Sequence, residues 1–162
     1  MAIDGVKIID SDQGYDIYNE VVGRYRDGDH VANIIKDILD AEKDYCQTDF
    51  FTEIYWTALA YSLWKIGHLT DDIRDKTLEL IKKGADPFWL EIDSKALKQR
   101  QKVLDKLAIH LQTENPRPLK VTKAKTKRKP YFEEGDLLTV KFQDEYGLVF
   151  VSMVEQSPRK LE

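Results

Sequence analysis

Residues 50–66, FFTEIYWTALAYSLWKI, are apolar on nearly every face when wound at 3.6 residues per turn, and they include Trp56 and Trp64. A helix of this kind belongs in the middle of a bundle, so the rest of the chain must supply helices that cover it. The neighbouring segments meet that demand, each with one apolar stripe. Tyr18, Val21, Val22 and Tyr25 fall at i, i+3, i+4 and i+7. Val31, Ile34, Ile35, Ile38 and Leu39 repeat the spacing, with Asp29 as a candidate N-cap. Gly67 predicts a left-handed C-cap for the central helix. Thr70 caps the next helix, whose first turn carries Asp71 and Asp72, where the helix dipole favours acids. That helix buries Ile73, Thr77, Leu80 and Ile81 and stops at Gly84, with Pro87 just beyond. A last helix spans Ser94 to about Thr113, with Leu97, Leu104, Leu107, Ala108 and Leu111 inward and Lys98, Arg100, Lys102 and Lys106 outward. The expected fold class is mainly α: a compact domain over residues 1–113 with five helices, or six with a short turn at 88–92.

Beyond this domain the apolar period changes from 3.6 to 2. Residues 114–130 hold three prolines, no aromatic residue and alternating Lys and Thr. They offer little to a core and read as an exposed basic linker. Leu138, Val140 and Phe142 then alternate with Thr139 and Lys141, residues 144–147 supply a turn, and 148–154 make a second strand. Residues 131–162 are therefore expected to hold an antiparallel β-hairpin, the start of a small barrel or α+β module. Two strands seldom persist alone in water. Either the hairpin packs on the helices or the chain is an N-terminal piece of something longer.

Charge follows the same three-part plan. Residues 1–115 carry 15 Lys and Arg against 22 Asp and Glu. Residues 116–130 carry Arg117, Lys120, Lys123, Lys125, Lys127, Arg128 and Lys129 and no acid, and 131–162 return to three basic against seven acidic side chains. An acidic body, a basic strap and an acidic tail stand in series. No apolar run reaches the roughly 18 residues of a membrane span. The N-terminus also lacks the basic and apolar regions of a secretory signal. A cytoplasmic location with no membrane partner is expected.

Catalytic and cofactor chemistry finds little to work with. The single cysteine, Cys46, has no adjacent base and reads as a structural thiol. His30, His68 and His110 show no metal-ligand spacing, so no metal or other cofactor is expected. Gly-rich phosphate loops and the serine hydrolase elbow are missing. The calcium-like run Arg26-Asp27-Gly28-Asp29 lacks the carboxylates that would complete a shell and reads as an interhelical turn. No catalytic residue is assigned, and the chain is read as a non-enzyme.

Two binding readings remain. The seven strap cations could release counterions from nucleic acid, but no aromatic among them stacks on bases and both flanks are acidic. The other reading takes acidic helix faces as the working surface: Asp37, Asp40 and Asp44 along the second helix, and Asp71, Asp72, Asp75 and Glu79 along the helix after Gly67. Such stripes steer association with a basic partner, or are simply the wet faces of surface helices. Tyr15, Tyr18, Tyr25, Tyr55 and Tyr61 could anchor a partner or fill the core.

Residues 55–83, YWTALAYSLWKIGHLTDDIRDKTLELIKK, resemble an α-hairpin of bacterial proteins in which a Trp-bearing helix is followed by an acidic amphipathic one. The same hairpin resembles a single tetratricopeptide unit, without a 34-residue period elsewhere. Residues 129–154, KPYFEEGDLLTVKFQDEYGLVFVSMV, are similar to the start of the immunity protein twenty-six family. That pattern is an aromatic, a Gly-Asp pair, an apolar strand, an acidic-Gly turn and a second strand. Here Phe132, Gly135, Asp136, residues 137–142, 144–147 (ending in Gly147) and 148–154 fill it. Where the family pattern has a proline in the first strand, this chain has Val140-Lys141. The resemblance implies a cytoplasmic bacterial protein that binds and neutralises a cognate toxin, and a fold that continues past residue 162. The expected function is accordingly non-catalytic protein binding of the immunity type; the alternative is a nucleic-acid-associated module working through residues 117–129.

Overall fold

The computed structural model of the protein describes residues 3–121 and 131–154. The chain divides into two compact units, Met1–Val121 and Thr122–Glu162. Among the described residues the first is helical and the second is a two-stranded antiparallel sheet.

The apolar run forms α4, Asp49–Ile66, at the centre of the helical unit. The Thr48 hydroxyl accepts from the Phe51 N–H at 3.3 Å to cap its start, and Gly67, at φ 76, closes it in the left-handed region. Packed on α4 are α1 (Asp12–Asp27), α3 (Glu42–Tyr45), α5 (Asp71–Lys83) and α7 (Ala96–Leu111). The remaining helices, α2 (Val31–Asp40) and α6 (Trp89–Ile92), lean on α1 and α7 respectively. Ala58, Leu59, Ala60 and Leu63 are completely buried, as a helix covered on all sides requires. Val21 and Val22 of α1, Ile34 and Ile38 of α2, Ile73 and Ile81 of α5, and Leu104, Leu107 and Leu111 of α7 form the surrounding core. A smaller cluster of Phe50, Ile54, Trp89 and Ala96 lies at the other end of α4, against Ile3 and Val6 of the N-terminal segment.

Several local expectations are corrected. His30, not Asp29, is the N-cap residue of α2, because the Asp29 carboxylate is drawn away to the Arg24 Nε at 2.8 Å. Helix α2 ends at Asp40, and the chain turns at Ala41 into α3, so Asp44 lies on a different element from Asp37 and Asp40. The break is supported from the core: the Tyr55 hydroxyl donates to the Ile38 carbonyl at 2.7 Å, taking an acceptor that a continuing helix would have used. Arg100, expected outward, is 1% exposed. The helical unit also extends past residue 113. The Asn115 side-chain amide donates to the carbonyls of Trp64 and Lys65, and the Leu119 N–H donates to Lys65, so this segment caps the end of α4.

In the second unit β1, Leu137–Phe142, pairs with β2, Glu145–Phe150, from Leu137 opposite Phe150 to Phe142 opposite Glu145. The turn is Gln143-Asp144, two residues with Gln143 at φ 55, and the second strand begins earlier than its apolar residues suggest. Gly147 thus sits within β2 opposite Val140 rather than in the turn. Cross-strand pairing places Leu137, Leu148 and Phe150 on one face and Leu138, Val140, Phe142 and Val149 on the other. Gly135 N–H to Val151 carbonyl and Val151 N–H to Asp136 carbonyl extend the pairing beyond the strands.

Candidate protein-binding surface

One concentration of exposed carboxylates is built on α1 and α2. Asp16 and Glu20, one turn apart on α1, face Asp37 of α2 across a groove of about 530 Å³ whose lining includes Ile17, Ile38 and Tyr45. Arg24 is the hub at one side: its guanidinium meets Glu20 at 3.0 Å, Asp29 at 2.8 Å and Asp37 at 2.9 Å. Hydrogen bonds to Asp29, Asp37 and Glu20 hold the Arg24 pKa above its ordinary value. One cation among three carboxylates leaves the cluster negative and locks its side chains in place. Asp40 and Asp44 are exposed but do not line the groove. Sequence spacing singled out Asp37 but passed over Asp16 and Glu20. The missed signal was the acidic repeat at four, Asp12, Asp16 and Glu20, on the face of α1 away from Val21 and Val22.

The α5 stripe is partly spent on itself. Arg74 holds Asp71 at 2.7 Å and Asp75 at 2.9 Å, which raises its own pKa. The Thr70 hydroxyl hydrogen-bonds Asp72 and, with backbone N–H groups of the first turn, keeps that carboxyl below the usual range. Glu79 is exposed. On the flank of α5, Lys76 meets Glu42 at 3.0 Å and lies 3.6 Å from the Trp56 ring centre, while the Trp56 Nε1 donates to the same carboxylate. This bracket joins α3, α4 and α5.

One ionic network lies inside the protein. The Arg100 Nε donates to the Glu53 Oε1 at 2.8 Å, Nη1 to the carbonyls of Val6 and Lys7, and Nη2 to the Thr57 hydroxyl. Glu53 also receives the Trp89 Nε1 and the Asp86 N–H. Burial pulls the Arg100 pKa down and the Glu53 charge opposes it. The network fastens the N-terminal segment and α6 to the bundle. Spacing could have revealed it: Arg100 falls in register with Leu97, Leu104, Leu107 and Leu111, and Glu53 is the one carboxylate in residues 50–66.

Of the tyrosines, Tyr55 is fully buried, with burial pushing its phenol up, Tyr18 and Tyr61 stack on each other, and Tyr15 is 54% exposed. Burial likewise pushes the half-buried Cys46 thiol up, away from the thiolate. Arg117 and Lys120 are exposed on the segment that caps α4; Lys123, Lys125, Lys127, Arg128 and Lys129 lie outside the described residues. In the hairpin unit Phe132 is exposed, and the Asp136 carboxylate accepts from the Glu133 N–H beside Gly135, which adopts φ 96. Among the described residues no three or more His, Cys, Asp and Glu side chains gather as a metal site would require, and no helix is long and apolar enough to cross a membrane.

Comparison with protein families, curated proteins and solved structures finds none that matches this chain.

Proposed function

We propose that this chain is a non-catalytic binding protein of the immunity type, which docks a basic surface of a cognate bacterial toxin in the cytoplasm on the acidic face of α1 and α2. The observation that carries the reading is the groove in which Asp16, Glu20 and Asp37 stand over an apolar floor, Glu20 and Asp37 being braced by Arg24. An inhibitor needs a rigid, complementary surface rather than a reactive group, and charges fixed before encounter raise association rates and reject wrong partners. The immunity class itself is suggested by the resemblance read in the order of aromatic, Gly-Asp pair, strand, turn and strand over residues 129–154, which no family match accompanies.

The test is co-expression with the toxin encoded in an adjacent reading frame. Growth rescue by the full chain, lost in Asp16→Lys with Glu20→Lys, both on the groove, supports the reading. Full toxicity in the presence of the soluble chain, or rescue untouched by the charge reversals, overturns it. Salt-sensitive retention on DNA that disappears when the cations at 117–129 are neutralised would instead favour the nucleic-acid alternative.

A further inference from the structure

The body of this protein is acidic, yet one of its helices is not. Between Lys95 and His110 the chain carries Lys95, Lys98, Arg100, Lys102 and Lys106 against the single acid Asp105. Arg100 is consumed in the interior, but Lys98, Lys102 and Lys106 are exposed and succeed each other at every fourth residue along α7. None of these three lysines forms an ion pair among the described residues. Val103 and Leu107 sit one position further along, beside the lysines, and they form the floor of a groove of about 340 Å³ with Ile8, Ile9 and Tyr61. Lys7 and Asp10 stand on the opposite rim, and Lys106 and His110 on the near one, while Lys98 and Lys102 lie outside the lining. The volume lies at the lower end of the roughly 300–1,000 Å³ typical of ligand pockets.

We infer that this groove is a second docking surface, of opposite sign to the first, and that it takes a short acidic amphipathic helix of a protein partner. An apolar floor flanked by Lys7 and Lys106, against the single carboxylate of Asp10, matches a helix that carries apolar anchors at i, i+3, i+4 and i+7 and carboxylates toward the two lysines. The same features disfavour a nucleic acid. Tyr61 is the only aromatic on the floor and already stacks on Tyr18, with ring centres 6.2 Å apart, so it offers little to a base. Asp10 stands at the groove with its carboxylate on the Lys7 N–H, and the negative field of the body repels a polyanion at range. A peptide with a few carboxylates feels mainly the local lysines. The proposal stands apart from the toxin reading, because it concerns another face and its test contains no toxin.

The test is fluorescence anisotropy of the full chain with a labelled peptide of about 16 residues, long enough to form a helix. Its leucines occupy one face and its glutamates the flanks. Saturable one-to-one binding is expected, weakened about tenfold by Lys7→Glu with Lys106→Glu, since reversing the two rim lysines sets like charges against the peptide. Val103→Asp should weaken it similarly by placing a charge on the floor, with circular dichroism and melting of both variants confirming that the fold is intact. A control peptide with serines replacing the leucines should not bind. The inference is overturned if there is no saturable binding, if both variants bind as well as the parent, if the serine peptide binds equally, or if single-stranded DNA of similar length competes at the same lysines with higher affinity.

Discussion

Arg100 carries five N–H donors into a place with almost no water, and its partners determine what that costs. Its guanidinium finds Glu53, Thr57 and two main-chain carbonyls, and Trp89 packs against its face with the guanidinium carbon 4.8 Å from the ring centre. Removing one partner strands the other charge. Arg100→Met should therefore destabilise the fold by about 3–5 kcal/mol in urea unfolding, whereas Glu53→Leu with Arg100→Met should cost much less than the two single losses together. Strict additivity of the single effects would show that the pair is not coupled. Asp72 gives a gentler case. Its carboxyl is held low chiefly by the Thr70 hydroxyl. A carboxyl depressed in the folded state contributes stability above the ordinary carboxylate range and loses it as pH falls through the folded pKa. Thr70→Ala should move the Asp72 titration upward in carbon-detected NMR and reduce the difference in stability between neutral and acidic pH. An unmoved titration would exclude the hydroxyl as the cause.

At the scale of elements, the end of α4 shows how a local stop signal acquires a tertiary role. Gly67 is left-handed, as its place after a helix predicts, but a Cβ there would also stand 2.9 Å from the Pro118 side chain. Gly67→Ala should cost about 1–2 kcal/mol from the backbone conformation alone, and more through displacement of the segment that Asn115 and Leu119 tie to α4. Thermal melting together with protection of the Leu119 amide from hydrogen exchange measures both parts. A loss confined to the melting temperature, with Leu119 unaffected, would separate the helix stop from the clamp. The hairpin was legible by its period, but its turn was not. Gln143-Asp144 lacks the glycine that marks a two-residue turn, and the true glycine, Gly147, lies in the strand where its missing side chain faces Val140.

Across the whole helical unit, charge is sorted rather than spread. The α1–α2 groove gathers carboxylates, Arg74 pairs with two of the four carboxylates of the α5 stripe, and α7 turns a row of lysines outward. If the acidic groove receives a basic toxin surface as proposed, association should slow steeply as salt rises while dissociation changes little, and stopped-flow measurement of the two rates checks this. A rate of association independent of salt would remove electrostatic steering from the account. The sequence by itself determined the centrality of residues 50–66, most helix limits, the change of period and the three-part division of charge, because each of these follows from spacings of a few residues along one strand or helix. Only the tertiary structure decided which charges face a partner. Arg100 meets Glu53 across 47 positions and Val6 across 94, and Asp37 is claimed by an arginine on another helix. A helical stripe tells where a side chain points; what stands opposite it depends on how the helices pack, and that is set by the fit of the whole core.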